Sequence, residues 1–261
     1  MTNLNTRSTQ NSKPVKQTIS IGWLIPNLMT VLALSFGLTG LKFALAEKWE
    51  ETLVMLVLAV LFDTLDGRIA RLLRSTSQFG AQLDSLSDAI VFGVIPSITL
   101  YLWALQPVNK TAWAAALFFC ICSVLRLARF NSEIREETDK SKLFFTGIPM
   151  PAAALLVLMP LVCFIEFENE YFRDWRLIAG WTVLVGIGAI STIPTYAGKK
   201  LSLPKYFALP FLSSFALITA AIFVKPWLVW IFIAVIYILH IPFSAVVYRR
   251  LKSQQKEQNQ I

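Results

Sequence analysis

The sequence has one histidine, His240, and three cysteines, Cys120, Cys122 and Cys163, in 261 residues. That scarcity disfavours a zinc centre of the kind that gathers several Cys or His ligands. All the cysteines lie in apolar stretches, and Cys120 and Cys122, two apart on a helix, point in different directions. Packing is therefore expected of them, with no disulfide framework. His240 stands alone in the last apolar stretch and is expected to be a hydrogen-bonded structural residue. Charge is also sparse, at 15% of residues against 56% hydrophobic, and the mean hydropathy is positive. These proportions exclude an ordinary soluble basic protein and leave an integral membrane one. No internal repeat is evident, and the last two apolar stretches contain no acid.

The net charge of +8 would suit nucleic acid, but the basic residues are spread over short loops between apolar spans. That distribution is a topology signal, so no nucleic-acid partner is expected. All but Lys42, Lys48, Lys110, Arg173, Arg176 and Lys225 of the 24 Lys and Arg fall on one side of the predicted spans. Both termini are therefore predicted to be cytoplasmic, in the cytoplasmic (inner) membrane of a cell with such a membrane.

The expected fold is all-α, a polytopic membrane bundle of about eight transmembrane helices. Residues 1–20 are predicted to be a polar tail with a short interfacial segment near residues 14–20. The following apolar stretch is long enough to span and is expected to be a retained first helix. The spans are placed near 21–46, 51–74, 80–105, 111–131, from FFTGIPMPAAA to 166, 176–196, 207–223 and from Lys225-Pro226 to 249. Residues 21–197 would form a six-helix catalytic core and 198–261 two scaffold helices and a polar tail. Residues 132–142 are mixed in charge, suiting either a cover over the site or a solvated connector.

What interrupts the apolar pattern is the stretch DTLDGRIARLLRSTSQFGAQLDSLSD, residues 63–88. Asp63, Asp66, Gly67, Ala70, Arg71 and Arg74 fall on less than half the circumference of one helix. Gly80, Asp84 and Asp88 recur every four residues along a second, and the short link makes the two helices antiparallel neighbours. At 1.5 Å per residue, Asp63 lies roughly 17 Å into its span and Asp88 about 27 Å from the far end of its own. The carboxylates thus sit slightly submerged near the cytoplasmic face. Four unpaired acids at full depth would cost on the order of 10 kcal/mol. Converging carboxylates repel one another, which favours divalent cations held by oxygen ligands, Mg²⁺, Mn²⁺ or Ca²⁺ rather than zinc.

Asn27 and Thr30, near the start of the first span, admit two readings. Either they hydrogen-bond between helices, or they face the acids and bind polar substrate.

Written as a pattern, residues 63–88 read D-x-x-D-G-x-x-A-R-x(8)-G-x-x-x-D-x-x-x-D, which resembles the signature of the CDP-alcohol phosphotransferases at every fixed position. The resemblance implies transfer of a substituted phosphate from a CDP-linked donor to an alcohol, with release of CMP. It also implies two divalent ions, Mg²⁺ or Mn²⁺, held by Asp63, Asp66, Asp84 and Asp88, with Asp63 and Asp84 bridging and Asp88 as base. Gly67, Ala70, Arg71 and Gly80 would line the CDP site, and Asn27 and Thr30, in a PNxxT stretch, move toward its nucleotide side. The site would lie between helices 1–4, in a homodimer.

FGAQLDSLSDAIVFGVIPS, RLARFN and FFTGIPMPAAA are further similar to phosphatidylserine synthases of the membrane-spanning type, which implies CDP-diacylglycerol as donor and L-serine as acceptor. Serine carries a carboxylate that needs a cation. Arg126, Arg129 and Asn131 are candidates, with a topology role for the arginines as the other reading. Enzymes using glycerol phosphate, inositol phosphate or choline remain alternatives within the class. A divalent-cation transporter would explain the acids but not Gly67, Arg71 and Gly80 at their spacing. A silent scaffold would leave the solvation cost unexplained.

Overall fold

The computed structural model describes residues 21–73, 75, 77–106, 110–136, 144–191, 194–196 and 208–240. The predicted N-terminal tail, the segment KKLSLPKY and the last helix beyond His240 lie outside these residues.

Among the described residues the chain is helical apart from one small ribbon. Helix α1 (Ile21–Leu45) turns through Glu47, at φ 58°, into α2 (Trp49–Leu72). Among the described residues these two form the most extensive helix pair. Helix α3 (Gln78–Leu105) returns antiparallel, and its approach to α1 requires Gly37, where a Cβ would lie 2.8 Å from Val91 Cγ2. Next follow α4 (Lys110–Glu136), α5 (Met150–Val157), α6 (Met159–Phe167), α7 (Trp175–Ile190), α8 (Ala208–Val224) and α9 (Pro226–His240). The core is apolar and shared by most of them, with Leu53, Phe92, Ile95, Trp103, Phe119, Leu161 and Ile178 almost wholly buried.

Two helices are reshaped beside a proline, and α3 has a second π-helical segment at Tyr101–Leu105. In α3 the segment Ala89–Val94 is π-helical, with the Ile95 N–H bonded to the Ile90 carbonyl. Pro96 has no N–H and its ring would crowd the carbonyl four residues back, so the wider turn relieves the conflict. The α5–α6 pair bends by 42° before Pro160. Pro160 leaves the Leu156 carbonyl without its usual donor, and the Trp181 indole N–H of α7 supplies one at 2.8 Å.

Three expectations need correction. The predicted sixth span ends at Ile190 rather than Tyr196, and Pro194–Tyr196 (β2) pairs antiparallel with Phe144–Thr146 (β1). Pro194 cannot continue a helix, and FFT, expected to open the fifth span, is extended instead. Gly147 follows β1 at φ 78°, where a Cβ would sit 2.7 Å from the Ser191 carbonyl oxygen, so only glycine fits this crossing. The fourth helix also runs on to Glu136, past the predicted end at Asn131, so residues 132–136 are not connector; residues 137–142 of that predicted loop lie outside the described residues.

Among the described residues, three helices are long and apolar enough to cross a membrane, or four if the bent α5–α6 pair counts as one. Helix α2 has the length but carries Glu50, Glu51, Asp63, Asp66, Arg68 and Arg71. Leu24, Leu28, Leu38, Leu117, Ile121 and Leu125 project outward from α1 and α4, as a bilayer-facing surface requires. Helix α9 packs Trp227, Trp230, Ile231, Ala234, Tyr237 and Ile238 against the core at helical spacing, whereas α8 leaves most of its apolar side chains exposed.

Candidate active site

The acids sit where α1, α2 and α3 meet. Ser77 caps α3, its Oγ accepting the Gly80 N–H at 3.0 Å, and so fixes the first turn from which Asp84 and Asp88 are counted. Helical spacing then points both toward Asp63 and Asp66 of α2. Carboxylate oxygens of Asp63, Asp66 and Asp84 come within 4.8 Å of one another. Asp88 lies within hydrogen-bonding reach of Asp63, and its Oδ1 is buried with no partner.

The surrounding shell comes from α1 and α4. The Thr30 hydroxyl donates to Asp66 Oδ2 at 2.6 Å, with both residues buried. Asn27 is also buried, and its Oδ1 would lie 2.8 Å from a Cβ added to Gly80, so the glycine lets the first turn of α3 close on it. The Asn131 amide donates to Ser85 Oγ at 2.9 Å, tying α4 to the residue beside Asp84. On the open side of α2, a Cβ on Gly67 would meet nothing within 4 Å. There Arg71 is exposed, its Nε bonded to the Gly67 carbonyl at 2.9 Å, with Ala70 half-buried beside it.

The two arginines of α4 have different surroundings. Arg129 donates to the Ile190 and Ser191 carbonyls, at 2.9 and 3.3 Å, and so closes the C-terminal end of α7. Arg126 is only 7% exposed, and its Nε has no hydrogen-bond partner. Its charge faces Asp88 and, across from α9, Tyr237. Tyr237 and Ser85 were not among the residues picked out by sequence. Ser85 is readable only as a neighbour of Asp84, and nothing local to α9 marks Tyr237.

The only ion pair among the described residues joins Lys225 to Glu166 at 3.1 Å, between α6 and the start of α9. No lysine or arginine nitrogen among them therefore pairs with the four acids. An all-oxygen group of this density, without a bonded base, suits a hard divalent cation.

Residues 23–190 match the CDP-alcohol phosphatidyltransferase family, by description and over more than half of the chain. The chain belongs to this family. Its relatives include a CDP-diacylglycerol–serine O-phosphatidyltransferase of Mycobacterium leprae (strain TN), 35% identical over 224 residues, covering 85% of this chain and 74% of the relative. One of the same name from Helicobacter pylori (strain J99) is 33% identical over 211 residues, covering 78% of this chain and 83% of the relative. Another, from Methanocaldococcus jannaschii, is 37% identical over 164 residues, covering 62% and 71%. Family membership makes the protein a transferase and gives the acids between α2 and α3 a functional setting.

Proposed function

We propose that the protein transfers a phosphatidyl group from CDP-diacylglycerol to the hydroxyl of L-serine, releasing CMP. The observation that carries this reading is the convergence of Asp63, Asp66 and Asp84 beside Asp88, with the buried Arg126 facing the last of them. The relatives' shared name supports the donor and acceptor.

Asp63, Asp66, Asp84 and Asp88 would hold two divalent ions, Mg²⁺ or Mn²⁺. When bound, such ions neutralise the diphosphate and polarise the attacked phosphorus. Thr30 fixes the rotamer of Asp66, and Ser85 and Asn131 hold α3 against α4. Asp88 accepts the proton of the serine hydroxyl as that oxygen bonds to the phosphorus attached to diacylglycerol. The bond from that phosphorus to the bridging oxygen breaks, and CMP leaves with the oxygen. Gly67, Ala70 and Arg71 border the open face where the CDP moiety would lie, while Asn27 and Gly80 close its other side. Arg129 and Asn131 are already bonded within the protein, so Arg126 is the acceptor-binding base of choice for the serine carboxylate.

The proposed topology is an eight-span bundle in the cytoplasmic membrane, with the site between helices 1–4 near the cytoplasmic face and both termini on that side. Its support is the asymmetry of Lys and Arg and the outward apolar surface. Residues 21–197 would form the catalytic core, and the assembly would be a homodimer, as the family resemblance implies; cross-linking in native membranes tests the latter.

The decisive assay follows CMP release by purified protein given CDP-diacylglycerol, Mn²⁺ and separate alcohols. L-serine should accelerate release above choline, glycerol phosphate and inositol phosphate. Preference for one of those would replace the acceptor and keep the reaction. Asp88→Asn should remove turnover while retaining donor binding, and an active Asp88→Asn enzyme would remove Asp88 as base.

A further inference from the structure

The buried hydroxyl of Tyr237 is a donor or acceptor with no partner, and the buried Arg126 Nε is a donor with none. The two residues come from different helices, α9 and α4, and their polar ends lie within electrostatic range of one another without a bond between them. Orphaned polar atoms are uncommon in protein interiors, and two within electrostatic range of one another, one of them on the arginine whose charge also reaches the proposed base, call for a ligand that both can bind. Tyr237 stands about 17 Å along α9 from Pro226, at 1.5 Å per residue, a depth that suits the level of the acids. The Lys225–Glu166 ion pair anchors the start of α9, and Trp227, Trp230, Ile231 and Ala234 pack its inner face on the core. Tyr237 is therefore presented from a docked helix. Residues 23–190 carry the family match, so this contribution comes from outside the matched region.

We propose that Tyr237 is an acceptor-binding residue: its hydroxyl and the Arg126 guanidinium together take the carboxylate of an amino-acid acceptor and so help the site distinguish it from a plain amino alcohol. The proposal rests on the serine reading above. A carboxylate offers lone pairs to both donors, and the phenol adds direction to the charge that Arg126 supplies. Helix α9, expected from sequence to be scaffold, becomes part of the specificity apparatus.

The test compares the full-length wild type with Tyr237→Phe, which keeps the ring and removes only the hydroxyl. Initial rates of CMP release are measured with CDP-diacylglycerol and Mn²⁺, using L-serine or serinol, which replaces the carboxylate by a hydroxymethyl group. Loss of one hydrogen bond to a charged group predicts a KM for L-serine raised roughly tenfold or more, with kcat changed by less than about twofold. The preference for L-serine over serinol in kcat/KM should fall by roughly the same factor. Arg126→Lys, which keeps the charge but removes the Nε donor, should move the same ratio. An unchanged ratio in Tyr237→Phe, or a kcat loss shared equally by both acceptors, would overturn the assignment and leave the serine reading intact. Failure of the wild type to use L-serine would overturn both.

Discussion

Replacing Thr30 by Val removes one hydroxyl and its 2.6 Å bond to Asp66 Oδ2 while keeping most of the buried volume. The hydroxyl has one proton and two acceptors in range, Asp66 and the Pro26 carbonyl at 3.2 Å; the shorter, ionisable partner should receive it. A hydrogen bond to a charged group contributes about 1.5–3 kcal/mol, and a partner that orients a metal ligand typically changes affinity by about ten- to a hundredfold. Those ranges agree, since about 1.4 kcal/mol is a factor of ten. Titration of the purified Thr30→Val protein with Mn²⁺, followed by calorimetry or electron paramagnetic resonance, should show a dissociation constant raised by roughly that factor. Thr30→Ser restores the hydroxyl and should recover most of the affinity. Binding by Thr30→Val within about twofold of wild type would refute the orienting role. Equal losses in Val and Ser would show that the hydroxyl alone does not set the affinity, because Val keeps the methyl and Ser keeps the hydroxyl.

Other variants separate folding from chemistry. Gly67→Ala adds a Cβ that meets nothing within 4 Å, so thermal stability should hold or rise by about 0.5–1 kcal/mol through helix propensity. If that open face takes the nucleotide, KM for CDP-diacylglycerol should rise at the same time; unaltered kinetics would move the CDP site elsewhere. Trp181→Phe leaves the Leu156 carbonyl at the α5–α6 break without its donor and should cost about 1–3 kcal/mol in a denaturation experiment, with KM values preserved. Gly147→Ala forces a side chain onto φ 78° and within 2.7 Å of the Ser191 oxygen, so yield and melting temperature should fall, by about 1–3 kcal/mol or more. A Gly147→Ala protein as stable as wild type would contradict the crossing geometry.

Much of the site could be read from the chain because its residues obey helical periodicity. Asp63 and Asp66 are three apart, Gly80, Asp84 and Asp88 four apart, and a short link forces their helices to be antiparallel, so local spacing alone predicts that the acids converge. The apolar stretches likewise announced the long helices among the described residues, but not the break of the fifth stretch into α5 and α6 or the 3-10 turn Glu170–Arg173 in the acidic link. Their ends were less legible: Pro194 turned the end of the sixth stretch into a strand, and FFT paired with it, an event that depends on two segments about fifty residues apart.

Charge spacing identified Arg126, Arg129 and Asn131 together but could not rank them. Only the packed structure gives Arg129 to the end of α7 and Asn131 to Ser85, leaving Arg126 buried opposite Tyr237. Periodicity fixes which side of a helix a residue occupies, whereas the partner it meets depends on how that helix is rotated and how deep it sits against its neighbours. Sequence therefore determined the acid cluster, whose members come from two helices joined by a short link. Tertiary packing decided the surrounding bonds, because each joins helices that no local spacing relates.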